Sequence, residues 1–144
     1  LRMASVADPP RHHRPRPVPT EFSEPFWEGA RVGELRVQRC LDCEHWRWTP
    51  QLACPKCWSE RYEWARSGGR GELYSYTVVR RSVDPVRFEV PYVLAVVRLD
   101  EGPHLLTNLV ECELADIEVG MRVAVRFERI DDDFHVYPFA PAGG

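Results

Sequence analysis

The spacing of apolar residues changes character at Gly68-Gly69-Arg70-Gly71. Beyond it, short runs with a β pattern alternate with turn residues. Tyr74, Tyr76, Val78 and Val79 make the first run rich in aromatic and β-branched residues, which predicts a strand over 74–79. Residues 92–97 (Tyr-Val-Leu-Ala-Val-Val) are continuously apolar and predict a strand buried on both faces. A third strand is expected over 105–110, after the turn Asp100-Glu101-Gly102. Met121, Val123, Val125 and Phe127 alternate with Arg122, Ala124, Arg126 and Glu128, the pattern of a half-buried strand. Residues 134–139 follow the Asp131-Asp132-Asp133 turn and close the set. Five strands, with a short helical or irregular connection over 114–119, fit a Greek-key barrel of the OB type.

Before the glycines the pattern differs. Thr20 or Ser23 can cap a short helix with acidic residues in its first turn, running through Phe26 and Trp27 and ending near Gly29 or Gly33. Phe22, Phe26 and Trp27 form one apolar stripe on it, which either packs on its own domain or docks on a partner. Residues 35–39 then alternate as a strand. Residues 8–19 form a Pro/Arg-rich segment that cannot be helical, so residues 1–19 read as an arm or linker to something upstream, or as an expression remnant. His12 and His13 within them read as solvated.

The strand at 35–39 runs into the feature that sets the chemistry. Cys40-Leu41-Asp42-Cys43 and Cys54-Pro55-Lys56-Cys57 are two Cys-x-x-Cys pairs ten residues apart. Each pair binds one metal ion from a tight turn, and two turns complete a closed tetrahedral zinc site. Disulfides or duplicated redox pairs are the competing readings, and the lack of a secretory signal argues against the first. His45 is superfluous once four sulfurs are present. Trp46, Trp48, Trp58 and Trp64 are expected to shield the small module or face a partner. The expected layout is therefore an arm over 1–19, a helix over 20–34, a zinc ribbon over 35–66 and an OB domain over 67–144. Cys112 reads as a small buried hydrophobe in a strand-like stretch.

Composition narrows the partners. The 144 residues are 44% apolar, ordinary for a globular chain, with no run of about eighteen apolar residues as a membrane span needs. A cytoplasmic, reducing setting suits the thiolates. Residues 1–19 carry four Arg (Arg2, Arg11, Arg14, Arg16) against one Asp, a net of +3, whereas the remainder holds 15 basic and 21 acidic residues, a net of −6. A folded nucleic-acid-binding domain has the opposite balance.

Pro25-Phe26-Trp27-Glu28, Gln38-Arg39-Cys40, the Cys54–Cys57 knuckle and the run from Gly71 to Thr77 (Gly-Glu-Leu-Tyr-Ser-Tyr-Thr) make an ordered set. Pro91-Tyr92-Val93, Leu106-Thr107-Asn108-Leu109, Ile117-Glu118-Val119-Gly120-Met121 and Phe139-Ala140-Pro141 extend it. Over about residues 20–141 the chain resembles a bacterial and archaeal family with an N-terminal helix, a rubredoxin-like zinc ribbon and a C-terminal OB fold. Glu44 departs from it, since such knuckles often place Gly there. The resemblance implies a non-catalytic accessory subunit of a thiolase-fold acyl-CoA enzyme, in particular an aldolase or thiolase that cleaves steroid-side-chain acyl-CoA. It also implies a structural zinc and fusion in some members behind a hot-dog-fold enoyl-CoA hydratase; with such a partner, a thiolase dimer flanked by two copies of this chain is the natural arrangement.

The residues agree with an accessory role, because no catalytic constellation stands out. His104 and His135 read as surface groups on strands, and the three consecutive Asp as a turn. Phe22, Phe26, Trp27, Trp46 and Trp48 are the candidate partner interface. Arg80, Arg81, Arg87 and Phe88, between two barrel strands, could meet the phosphates and acyl chain of an acyl-CoA, or simply form a solvated hairpin. The alternative function is a single-stranded nucleic-acid-binding module, with Tyr74, Tyr76 and Phe88 stacking bases.

Overall fold

The computed structural model describes residues 15–143. The chain runs through α1 (Glu24–Arg31), β1 (Leu35–Cys40), β2 (Trp46–Arg47) and β3 (Tyr62–Ser67). It continues through β4 (Arg70–Val79), β5 (Tyr92–Leu99), β6 (His104–Leu109), a 3-10 turn (Leu114–Asp116) and β7 (Arg122–Val125). β8 (Glu128–Arg129), β9 (His135–Val136) and β10 (Phe139–Pro141) complete it. Most of the expected arm, and with it His12 and His13, lies outside the described residues.

α1 is bounded by local chemistry. Ser23 stands at its N-cap, yet its hydroxyl accepts from the Thr20 amide at 2.9 Å instead of capping the helix. Pro25 occupies the first turn, where a missing N–H costs nothing. At the other end Gly33, with φ of +81°, donates to Ala30 O, and Glu34 donates to Gly29 O at 2.8 Å. This pair of bonds ends the helix at a left-handed glycine.

β2-β1-β3 form a three-stranded antiparallel ribbon, and β10-β6-β5-β4-β7 close a five-stranded barrel. All neighbouring barrel pairs are antiparallel except β6 and β10, which pair in parallel at Leu109 and Phe139. That order and that single parallel contact are the OB arrangement. β4 bends to serve both β5 and β7, and its register shifts by one residue between Leu73 and Ser75, as a bulge does. Gly71 lets β4 approach β5: a Cβ there would lie 2.2 Å from the Arg98 carbonyl oxygen.

Leu73, Val93, Ala95, Val97, Leu99, Leu105, Val123 and Phe139 fill the barrel, and Phe26, Leu35 and Val37 belong to the same buried cluster. Helix, ribbon and barrel therefore share one core. Phe26 sits at their meeting point, 1% exposed, with its ring 4.4 Å from Trp48, 4.9 Å from Trp27 and 5.1 Å from Tyr137. Trp27 in turn meets Phe134 at 4.9 Å, and the Arg16 guanidinium lies 5.0 Å over that Phe134 ring.

Three expectations need correction. β5 is not buried on both faces: Val93, Ala95, Val97 and Leu99 point inward, while Tyr92, Leu94 and Val96 are only half-buried. An antiparallel sheet can leave one face partly open to water, where a parallel one is covered on both. Residues 134–139 are not one barrel strand. Phe134 turns into the aromatic junction, β9 pairs with β8 in a separate hairpin, and only β10 enters the barrel. Cys112 lies in the loop after β6, half-buried, rather than in a strand.

Phe26→Ala removes the ring common to all three parts. It is expected to cost about 3–5 kcal/mol of stability, read as the loss in urea-unfolding free energy of the zinc-loaded chain.

Candidate functional site

Each cysteine pair sits in a turn of the same design. Glu44 N donates to Cys40 O at 3.0 Å and Trp58 N to Cys54 O at 2.8 Å; Cys40 N donates to His45 O and Cys54 N to Ser59 O. The residue after each second cysteine is left-handed, with φ of +64° at Glu44 and +67° at Trp58. Glycine takes this conformation without strain, which accounts for the glycine expected at position 44. The turn is kept although Glu44 replaces it, and the Glu44 carboxylate meets Arg39 Nη2 at 2.7 Å.

The two turns bring four sulfurs together. Cys40 and Cys57 Sγ are 3.6 Å apart, as are Cys43 and Cys54 Sγ, and all four lie within 4.8 Å of one another. Zinc–sulfur bonds of about 2.3 Å in a tetrahedron place the sulfurs roughly 3.8 Å apart, so the set fits zinc. The electrostatics fit as well. The Cys43 amide, 3.5 Å from Cys40 Sγ, is the main influence lowering the Cys40 thiol to about 6. The Ser59 amide lowers Cys57 too, but burial and the neighbouring sulfurs outweigh it and push that thiol up to about 12. Such crowded thiols oppose one another's ionisation, and a bound dication removes the conflict. When bound, zinc would cross-link the two turns. With four protein sulfurs it has no open position for substrate. His45 serves the first turn through its backbone, its carbonyl accepting from Cys40 N and its amide facing the Cys43 sulfur.

The aromatic residues expected at a partner surface separate. Phe26 is enclosed by the chain itself, which corrects its placement there. Trp27, Trp46 and Trp48 are half-buried against the core, and Phe22 is 37% exposed beside Tyr62. Trp58 is the conspicuous surface aromatic of the ribbon, 78% exposed, with Leu52 and Leu41 also exposed. Only its position next to a knuckle cysteine could have singled it out from sequence. A cleft of about 250 Å³ lies beside the arm, lined by Pro17, Trp27, Leu94, Leu106 and Tyr137 among others. Folding alone brings these distant residues together.

The loop between β4 and β5 presents Arg80, Arg81 and Arg87 to solvent, with Val83, Val86 and Val90 also exposed. Arg87 pairs with Asp84 at 3.4 Å, and Phe88 is half-buried 6.0 Å from Tyr92. His104 is exposed with its ring 4.5 Å from Tyr74, and Asp131 and Asp132 pair with Arg16 and Arg129. No described helix is long and apolar enough to cross a membrane.

A helix and tetrathiolate ribbon packed on an OB barrel define a zinc-ribbon/OB-fold protein. The ChsH2 rubredoxin-like zinc ribbon domain matches residues 27–63 and the ChsH2 C-terminal OB-fold domain matches residues 64–128, so the chain belongs to the ChsH2 family. It is 32% identical over 96 residues to a DUF35 domain-containing scaffold protein of Methanocaldococcus jannaschii, covering 66% of this chain and 68% of that one. It is 32% identical over 130 residues to the 3-oxo-4,17-pregnadiene-20-carboxyl-CoA hydratase alpha subunit of Mycobacterium tuberculosis, covering 88% of this chain and 40% of that one. The chain thus spans about two fifths of the length of the hydratase subunits it matches. Among solved structures, the Ltp2-ChsH2(DUF35) aldolase superposes with a TM-score of 0.80 at 36% identity, over 88% of this chain and 98% of the matched one.

Two outcomes are expected. Cys57→Ser, or chelation of zinc, should abolish the ordered ribbon, seen as loss of the Trp near-ultraviolet dichroism together with loss of bound zinc. Glu44→Gly should keep zinc stoichiometry and raise the stability of the loaded chain by up to about 1 kcal/mol, measured by urea unfolding.

Proposed function

We propose that this chain is a non-catalytic accessory subunit of a thiolase-fold acyl-CoA enzyme, supporting aldol cleavage of a steroid-side-chain-derived acyl-CoA. The observation that carries the reading is the correspondence with the Ltp2-ChsH2(DUF35) aldolase over 98% of the matched chain. The scaffold name of the archaeal relative and the steroid acyl-CoA named for the mycobacterial one support it. The partner holds the nucleophile and base; this chain orders the partner and shapes the acyl-CoA channel, with structural zinc. Two copies flank a partner dimer in the cytoplasm. The Pro/Arg-rich segment joins the module to an upstream hydratase domain.

Phe22, Trp27, Trp46 and Trp48 contribute to the partner face, with Phe26 holding them in place from within. Arg80, Arg81 and Arg87 meet the CoA phosphates, and Phe88 lies beside the acyl chain. Exposed guanidiniums flanked by exposed valines suit a ligand with a polyanionic head and an apolar tail.

Co-expression with a thiolase-like protein encoded beside it should yield an equimolar complex with acyl-CoA lyase activity that neither chain has alone. A chain that neither binds such a protein nor alters its activity contradicts the proposal. Replacing Arg80, Arg81 and Arg87 together by Ala should raise KM for acyl-CoA on the order of tenfold with kcat little changed; an unchanged KM removes the loop from the site.

A further inference from the structure

Arg47 is a buried cation without a carboxylate. Its side chain is 3% exposed, yet it forms no ion pair among the described residues. Nε donates to Gln38 Oε1 at 2.9 Å and Nη2 to Gln51 O at 2.9 Å, while the Gln51 amide donates to the same Gln38 oxygen at 2.8 Å. Two donors thus fix the Gln38 amide with its oxygen toward Arg47. Gln38 Nε2 and Arg47 Nη1 remain buried without an acceptor. Interior guanidinium groups are costly unless a negative charge compensates them.

One of the four sulfur ligands, that of Cys40, starts from the same face of the ribbon. Gln38 and Cys40 are two residues apart on β1 and so point to one side of the sheet. Tyr62 is the register partner of Cys40, and the Arg47 guanidinium lies 5.0 Å over the Tyr62 ring. A zinc ion held by four thiolates is a net dianion. Arg39 is engaged with Glu44 and Glu63 and Arg61 with Asp42, and Lys56 of the second knuckle is exposed to solvent, so Arg47 is the buried cation of the ribbon among the described residues.

We propose that Arg47 is the interior counter-charge of the tetrathiolate zinc centre, a positioning residue that stabilises the loaded state through its charge. This goes beyond the proposed function and rests on the ribbon holding zinc. Its attraction for the dianion acts across a low-dielectric interior, which solvent screens poorly. The hydrogen bonds to Gln38 and Gln51 hold the guanidinium there and brace the chain that leads to the second knuckle.

The test is a zinc titration of the whole chain against a competing chelator, with zinc alone as the ligand. Arg47→Met should weaken zinc affinity about 10- to 100-fold, the range for residues that support metal ligands, whereas Arg47→Lys, which keeps the charge but not the forked hydrogen bonds, should lose much less. Gln38→Glu is the second variant. It keeps an oxygen facing Arg47 and cancels the charge, so it should also weaken zinc even though the Arg47 contact itself becomes stronger. Equal losses in Arg47→Lys and Arg47→Met, or undiminished affinity in Gln38→Glu, overturn the proposal and leave Arg47 as a hydrogen-bonded strut. A wild-type chain that binds no zinc would instead refute the metal assignment on which it rests.

Discussion

The ribbon has almost no apolar interior of its own, and that constraint organises the molecule. The face of β1 that carries Cys40 is lined by Gln38, with Arg47 across from it, rather than by leucines. A segment this short buries too little surface to offset the entropy of ordering it. Two devices compensate. The cysteine turns cross-link its open end through a metal, and its other face, through Leu35 and Val37, joins a core supplied by its neighbours. Neither device suffices alone: the metal fixes the knuckles but not the orientation of the ribbon on the barrel.

Orientation comes from the aromatic junction. Phe26 is delivered by a helix of eight residues, too short to be stable in water by itself. It is held because Trp48 from the ribbon and Tyr137 from the barrel side close on it. Trp27 and Phe134 extend the stack to the arm, where Arg16 lies over the last ring. The half-buried tryptophans are thereby fixed in position with one edge reaching the surface. A rigid aromatic surface loses little entropy when it is covered, and this suits a binding platform.

Much of this was legible in the residues. The cysteine spacing specified the metal centre, because only a few backbone paths join two such turns. The barrel was legible from alternation where a strand had one wet face, as in β7. It misled in β5, where partly exposed apolar residues on the outer face imitate a doubly buried strand. It also misled at residues 134–139, where one continuous run serves three environments in succession. The role of Phe26 could not be told from that of Phe22, since helical spacing shows which residues share a stripe but not what covers it. Arg47 gave no signal, because an arginine among tryptophans reads as a surface residue until its burial is seen. Folding, rather than local pattern, decided each of these.

On the proposed function, the four cysteines are scaffolding for a surface whose chemistry belongs to a partner. The most direct test measures partner affinity and turnover per assembled complex for the zinc-loaded chain and for Cys40→Ser. The account predicts that affinity collapses, while whatever complex still forms at high concentration turns over at the normal rate. A complex that assembles with undiminished affinity but has lost its turnover would contradict it, and would place the thiolate centre in the reaction itself.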